Sequence, residues 1–213
     1  MSERTDTPAG DVPRHTRGDR VKHWTIALCF FFLAASGLAL FHPAFWPLTG
    51  LLGGGVWSRI LHPYLGVVMA IAFAGLAARH WKDNLIQDYD REWAKRMPDI
   101  INNRGHDLPE IDKYNVGQKR LFQVLVVSMT LLLLSGIVLW RDWVAAPVEL
   151  VRIGAVVHAL AAFVLMLGII AHAYSAIFWV RGALRGMTRG TVTHGWARHH
   201  HPLWYRRVMG GGK

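Results

Sequence analysis

Two histidines lie in an uncharged stretch of the chain. His158 and His172 are fourteen residues apart in a run, Ile153–Val180, that contains no Asp, Glu, Lys or Arg. An α-helix would place them about 40° apart around its axis and about 21 Å apart along it. They would therefore share one helix face at two depths. Imidazole is a common ligand for metals, so this spacing indicates two ligand positions.

The residues around these histidines have the composition of a membrane protein. Apolar residues make up 52% of the 213-residue chain, and charged residues make up 18%. A membrane-spanning helix needs about 20 mostly apolar residues. Four segments meet this need, so the predicted helices are His23–Phe41, Ser58–Arg79, Gly117–Trp140 and Glu149–Arg181. A soluble fold is excluded, because a chain of this size could not bury helices that are apolar all round.

The positive charges are unevenly distributed. Of the 24 Lys and Arg residues, 21 fall in residues 1–22, 79–120 and 181–213, which four spans place on one side of the membrane. The positive-inside rule makes that side cytoplasmic, with both termini there. The net charge of +10 therefore reflects topology and does not indicate nucleic acid.

The same topology gives the predicted domain organisation. Residues 1–20 are expected to be a flexible cytoplasmic tail, and residues 21–181 a four-helix transmembrane bundle with a cytoplasmic loop at about 80–116. Within that loop, DYDREWAKRMPDIINN is amphipathic and could form a short helix. Residues 182–213 are expected to be a basic, aromatic cytoplasmic tail at the headgroup level. The glycine-rich connection between the first two helices is expected to have little regular structure.

Each of the two histidines needs a partner at its own depth. His23 begins the first helix on the cytoplasmic side, and His62 begins the second helix on the outer side. Only residues at the same depth in the membrane can bind one group, so His62 is expected to pair with His158 near the outer surface and His23 with His172 near the cytoplasmic surface. Two stacked pairs of this kind are typical of a dihaem b-type cytochrome in a four-helix bundle. Zinc fits less well, because it wants four donors and each level offers two.

The remaining residues of interest have weaker signals. His42 and His80 lie at helix ends and are alternative ligands, whereas His15 and His106 are expected to be solvated. The run from His199 to His201 has no second ligand cluster beside it.

The single cysteine, Cys29, excludes a disulfide framework and a c-type haem attachment, and is expected to pack in the core. Small residues beside the histidines could make room for a macrocycle or for close helix packing: Ala35, Ser36, Gly37, Gly66, Ser135, Gly136, Ala161 and Gly168.

No catalytic constellation is visible in the sequence. An iron with two protein ligands is coordinatively saturated, which favours electron transfer. A quinone is the natural acceptor at the cytoplasmic side, and the stretch DKYNVGQK offers Asn115, Gln118 and Lys119 as donors to it. The same Asn115 and Gln118 also fit an N-cap followed by an N3 glutamine, so a purely structural role stays open.

From about residue 20 to 207 the chain resembles the gamma (cytochrome b) subunit of respiratory membrane-bound formate dehydrogenase. The resemblance rests on RVKHWTIALCFFFLAASG, SRILHPYLG, DKYNVGQK, SGIVLWR, the His158/His172 pair and RGALRGMTRGTVTHGWARHHHPLWYRR. It implies four haem ligands, His23, His62, His158 and His172, and a quinone pocket that includes Asn115 and the vicinity of His172. The outer loop GLLGGGVW departs from the family pattern.

The resemblance also implies partners. They would be an iron–sulfur beta subunit and a catalytic alpha subunit with molybdenum or tungsten, both periplasmic, whose electrons would pass through two haem b groups to menaquinone or ubiquinone. Two alternatives stay open. One is the cytochrome b subunit of a nickel–iron hydrogenase or thiosulfate reductase, and the other is a haem-free membrane anchor or transporter.

Overall fold

The fold is almost entirely helical. The computed structural model describes residues 10–96, 98, 102 and 109–210, so His106 and residues 1–9 of the predicted tail lie outside the described part. The α-helices are α1 (Arg17–Phe41), α2 (Gly55–His80), α3 (Asp88–Lys95), α4 (Val116–Leu139), α5 (Val148–Tyr174), α6 (Ala183–Thr188), α7 (His194–His200) and α8 (Pro202–Gly210). The strands are β1 (Asp11–Pro13) and β2 (Thr191–Thr193).

The four predicted spans are confirmed as helices. Helices α1, α2, α4 and α5 are each long and apolar enough to cross a membrane. Helix α1 begins six residues earlier than predicted, because Thr16 and Asp19 form a capping box: Thr16 Oγ1 accepts from the Asp19 N–H at 3.2 Å, and Asp19 Oδ2 accepts from the Thr16 N–H at 3.1 Å. The α-helical part of the fourth span, α5, ends at Tyr174, and a π-helical turn follows over Ser175–Trp179.

The connection between α1 and α2 is more regular than predicted. It forms a 3₁₀ helix, Pro43–Leu52. His42 caps this helix, since its Nδ1 accepts from the Ala44 N–H at 3.2 Å. The helix ends at Gly53, whose φ of 87° is a left-handed conformation that favours glycine. His42 is thus accounted for by a capping role.

Residues Val21–Arg79 and Val124–His172 form one compact unit, called here the helical unit. Each of its four helices contributes to one core, which contains Cys29, Leu33, Met69, Met129 and Leu165. The outward faces carry large exposed apolar side chains, including Phe31, Ile71, Leu134 and Leu160. Exposed apolar faces of this extent require a lipid environment. The chain is accordingly an integral membrane protein, and the prediction that Cys29 packs in the core is confirmed.

The described residues of Met1–Arg20, His80–Gln123 and Ala173–Lys213 form a second compact unit, called here the polar unit. These three segments hold 19 of the 24 Lys and Arg residues of the chain. Strands β1 and β2 pair antiparallel, with Val12 opposite Val192, and both valines are buried together with Trp204. The described part of the tail therefore differs from the flexible segment that was predicted. Its apolar Val12 is held by a strand 180 residues away, which sequence patterning does not reveal.

The amphipathic stretch in the loop does contain a short helix, as the sequence allowed. Helix α3 begins with a capping box, in which Asp90 Oδ2 accepts from the Gln87 N–H at 2.8 Å. Its apolar Trp93 packs with Ile111 and Val116 in the polar unit. The first turn of α4 and helix α3 are therefore positioned by one small apolar cluster.

Candidate functional site

His62 of α2 and His158 of α5 face each other within the helical unit. Their ring centres are 6.3 Å apart, and the ring planes are tilted by 58°. The sequence predicted this pairing from depth alone. The structure brings the two side chains together as expected.

His23 of α1 and His172 of α5 form a second pair. Their ring centres are 6.2 Å apart, with a tilt of 51° between the planes. Trp24 packs edge-on against His23, with ring centres 5.2 Å apart. Helix α5 therefore contributes one histidine to each pair, and two different helices supply the other members.

A serine hydroxyl contacts each histidine of the first pair. Ser36 Oγ of α1 lies 2.8 Å from His62 Nδ1, and Ser135 Oγ of α4 lies 2.9 Å from His158 Nδ1. Both serines are buried. From the sequence they are recognisable only as small residues. The signal that could have identified them is the repeated Ser-Gly pair, Ser36-Gly37 in AASGLAL and Ser135-Gly136 in LLSGIVL.

The glycine of each Ser-Gly pair lies against the imidazole that the serine contacts. A Cβ atom on Gly37 would lie 3.5 Å from His62 Cε1, and one on Gly136 would lie 3.4 Å from His158 Cε1. Larger side chains at these positions would occupy the space of the rings. The two glycines therefore let the backbones of α1 and α4 approach the His62/His158 pair closely.

The geometry of both pairs suits a metal between the rings. Two imidazoles that bind one metal from opposite sides, through nitrogens at about 2.0–2.1 Å, have ring centres about 6.4 Å apart. The observed separations are 6.2 and 6.3 Å. In the described part of the chain, the only group of three or more metal-ligating residues is elsewhere, so each pair offers just two donors. Two axial donors suit haem iron better than zinc.

Asn115 and Gln118, the predicted quinone contacts, form a reciprocal capping box at the start of α4. Asn115 Oδ1 accepts from the Gln118 N–H at 2.9 Å, and Gln118 Oε1 accepts from the Asn115 N–H at 3.0 Å. The capping alternative left open by the sequence is thus what the structure contains. The cap uses only the two amide oxygens, so the side-chain NH₂ groups are not engaged in it.

Lys119, which the sequence offered as a third donor to a quinone, is buried in an ion pair. Only 1% of the residue is exposed. Its Nζ lies 2.6 Å from Asp90 Oδ2 and 3.3 Å from the Tyr89 hydroxyl. An ammonium enclosed in this way is unable to reach a ligand at the protein surface, so its role is structural.

His15, His80 and Asp19 form a separate cluster in the polar unit, with ligating atoms within 4.8 Å of one another. The prediction that His15 is solvated is therefore wrong. Burial, followed by the charges of Arg14 and Lys113, lowers the pKa of His15 to about 3. The same two positive charges oppose a divalent cation, so we assign no metal to this cluster. His80 lies instead between two carboxylates, with Asp19 Oδ1 3.8 Å from its Nε2 and Asp83 Oδ2 3.5 Å from its Nδ1.

His201, in the three-histidine run of the tail, has a packing role. Its Nδ1 lies 2.8 Å from the Asp112 carbonyl and its Nε2 lies 3.1 Å from Arg14 Nη2. Since a guanidinium only donates and a carbonyl only accepts, Nδ1 carries the proton and Nε2 accepts. Burial, and then the charge of Arg14, lower the pKa of His201 to about 3. The Arg14 guanidinium is itself stacked between Trp196 and Trp204, 5.0 and 4.9 Å from the ring centres.

Comparison with known proteins identifies the family. The profile described as prokaryotic cytochrome b561 matches residues 14–190. The formate dehydrogenase cytochrome b556 subunit of Haemophilus influenzae is 40% identical over 200 residues, which cover 93% of this chain and 84% of that protein. The formate dehydrogenase cytochrome b556(fdo) subunit of Escherichia coli K12 is 38% identical over 199 residues, covering 92% and 93%.

A further relative is the nitrate-inducible formate dehydrogenase cytochrome b556(Fdn) subunit of Escherichia coli K12, which is 35% identical over 192 residues covering 89% of this chain and 88% of that protein. The match to the family profile, residues 14–190, spans both histidine pairs and both Ser-Gly pairs. Haem b is the cofactor that follows from a cytochrome b family. The chain belongs to the prokaryotic cytochrome b561 family and is a relative of the formate dehydrogenase cytochrome b556 subunits.

Proposed function

We propose that this chain is the dihaem cytochrome b subunit of a formate dehydrogenase, which anchors the complex in the membrane and carries electrons to a quinone. The observation that carries the proposal is the pair of facing imidazoles at each of two positions along α5, with ring centres 6.3 and 6.2 Å apart. Full-length similarity to cytochrome b556 subunits of formate dehydrogenases supports the identity of the complex.

The four histidines would be the axial ligands. His62 and His158 would hold one haem b, and His23 and His172 the other. Each bound haem would supply reversible one-electron chemistry at its iron. The chain's own residues would supply two imidazole nitrogens to each iron, one from α5 and one from α1 or α2. Because two axial ligands leave no open iron position, the arrangement favours electron transfer over reaction with small molecules.

The distribution of charge supports cytoplasmic termini, and the similarity to subunits from bacteria supports a location in the inner membrane. The three segments of the polar unit hold 19 of the 24 Lys and Arg residues, which supports this orientation through the positive-inside rule. The His62/His158 site would then be the outer one. The connection that includes Pro43–Leu52 would face the periplasm, where an iron–sulfur beta subunit and a molybdenum- or tungsten-containing alpha subunit would dock.

A quinone would accept the electrons near the cytoplasmic surface. Asn115 and Gln118 are its proposed contacts, since the capping box leaves their NH₂ groups available to a quinone carbonyl. A groove beside this box supports the assignment, because it offers apolar contact to a ring. Its lining consists of the apolar or small residues Ile86, Ala94, Val116 and Gly117 and the charged residues Asp90, Arg91 and Arg120. Menaquinone and ubiquinone share the carbonyl chemistry involved.

The test is a haem assay on the chain purified in detergent, followed by identification of the subunits that co-purify. We expect a b-type absorption band after reduction with dithionite and about two haems per chain, consistent with two ligand pairs. A colourless preparation would mean a haem-free anchor. Co-purification with a nickel–iron hydrogenase or a thiosulfate reductase, in place of a formate dehydrogenase, would reassign the complex while leaving the haem sites intact.

A further inference from the structure

The serines beside the His62/His158 pair each contact a main-chain carbonyl as well as an imidazole. Ser36 Oγ lies 2.7 Å from the Phe32 carbonyl oxygen and 2.8 Å from His62 Nδ1. Ser135 Oγ lies 2.6 Å from the Leu131 carbonyl oxygen and 2.9 Å from His158 Nδ1. The same three-atom arrangement thus occurs twice, on two different helices.

Proton counting fixes the direction of these hydrogen bonds. A serine hydroxyl has one proton, and a carbonyl oxygen has none. The proton of each serine is therefore donated to the carbonyl four residues earlier. The remaining contact can be a hydrogen bond only if the imidazole Nδ1–H donates to the serine oxygen. In both His62 and His158, Nδ1 then carries the proton and Nε2 keeps the lone pair that a metal needs.

The other pair differs in this respect. His23 Nδ1 is buried, and within the described residues it has no hydrogen-bond partner. A ligating imidazole that donates its second N–H to an acceptor becomes more basic, and so stabilises the oxidised metal. The first pair has two such acceptors, whereas His23 lacks one. The two sites should therefore have different reduction potentials.

We propose that Ser36 and Ser135 are positioning residues: they fix the Nδ1–H tautomer of His62 and His158, aim Nε2 at the iron, and lower the reduction potential of that haem below that of the His23/His172 haem. This inference rests on the haem ligation proposed above. A lower potential at the His62/His158 site favours electron flow from that site to the His23/His172 site. The first iron would be oxidised as the second is reduced. The hydrogen bonds would thus set the direction of electron flow along α5.

The variants Ser36→Ala and Ser135→Ala test the proposal. The reduction potential of each haem is measured by redox titration of the purified complex, monitored through its absorption spectrum. We expect each variant to bind two haems and to shift the potential of one of them upward, with a larger shift in the double variant. The His62→Ala protein identifies which component belongs to that pair. Ser36→Thr and Ser135→Thr keep the hydroxyl and should restore the original potential.

The control is Ser128→Ala, which removes another buried serine of α4, seven residues before Ser135. It should leave both potentials unchanged. A second readout needs no haem: in protein labelled with ¹⁵N-histidine and prepared without haem, the Nδ1–H tautomer should dominate at His62 and His158, and mixed tautomers should appear in the alanine variants.

The outcomes separate this inference from the proposed function. A wild-type protein with fewer than two haems argues against the ligation itself. Two bound haems with unchanged or lowered potentials in both alanine variants overturn the role of the serines. Loss of one haem in an alanine variant supports positioning if the threonine variant retains it, and contradicts positioning if the threonine variant loses it as well.

Discussion

Lys119 of α4 and Asp90 of α3 form an ion pair that is closed to solvent. Nζ lies 2.6 Å from Oδ2, and the two side chains are 2% and 0% exposed. The Tyr89 ring covers the ammonium, with Nζ 4.8 Å from the ring centre. Removing one member of a buried pair leaves the other charge without compensation, which costs more than the pair itself contributes. This contact therefore holds α3 against the start of α4.

Lys119→Met is expected to destabilise the polar unit by about 3–5 kcal/mol, because the Asp90 carboxylate would remain buried and charged. The double variant Lys119→Met/Asp90→Asn removes both charges and keeps the oxygen that caps α3, so it should recover much of the loss. Thermal unfolding of the purified protein and limited proteolysis of α3 would measure the loss of stability in the single variant and its recovery in the double variant. Equal destabilisation by the single and double variants would contradict this reading of the pair.

Substitution of the four histidines should divide them into two pairs. His62→Ala and His158→Ala are each expected to remove the same haem, and His23→Ala and His172→Ala the other, leaving about one haem per chain in every case. Haem extraction and the reduced absorption spectrum would show this. His42→Ala is the matched control, since this residue caps the 3₁₀ helix and should keep both haems. The pairing is wrong if His62→Ala and His172→Ala remove the same haem.

In the whole complex, His172→Ala should abolish quinone reduction while formate still reduces the His62/His158 haem. The reason is that electrons would still reach the His62/His158 haem, but the His23/His172 haem that passes them to the quinone would be missing. Spectra recorded under formate, together with a quinone-reduction assay, measure the two steps separately. Quinone reduction at the wild-type rate in this variant would argue against a path through the His23/His172 site.

Asn115→Ala should slow quinone turnover without changing haem content. It also removes the N-cap of α4, at a cost of about 1 kcal/mol. Asn115→Asp separates the two roles, because the carboxylate still caps the helix but has no NH₂ to donate to a quinone. Turnover should therefore be slow in both variants, whereas thermal stability should fall only in Asn115→Ala. Normal turnover in Asn115→Asp would leave Asn115 with a capping role alone.

Acid should destabilise the polar unit through His201. Its pKa is about 3 in the folded protein against an ordinary 6.5. Between these two pKa values the unfolded chain binds more protons than the folded protein. The contribution of His201 to the free energy of unfolding is therefore complete above about pH 6.5 and is lost as the pH falls toward 3. The loss is about 2 kcal/mol at pH 5. Thermal unfolding from pH 7.5 to 5 would show a smaller drop in His201→Gln than in the wild type. His199→Gln, on the same run, should behave as wild type.

The sequence alone determined the four spans and the pairing of His23 with His172 and of His62 with His158. These features depend on local regularities: the rise and turn of an α-helix, the thickness of a bilayer, and the order in which helices cross it. Such regularities fix the depth of a residue without knowledge of its neighbours. Asn115 and Gln118 were also readable as a cap, because capping spans only four residues.

Tertiary structure decided what depends on contacts between distant segments. Only the fold shows that Ser36 contacts His62, that Lys119 forms a buried ion pair with Asp90, and that Val12 pairs with Val192. These contacts are not periodic, and their partners lie 26, 29 and 180 residues apart in the chain. The polar sequence around His15 predicted exposure to solvent, yet this residue is half-buried, because the burial of a side chain is set by the residues that pack over it.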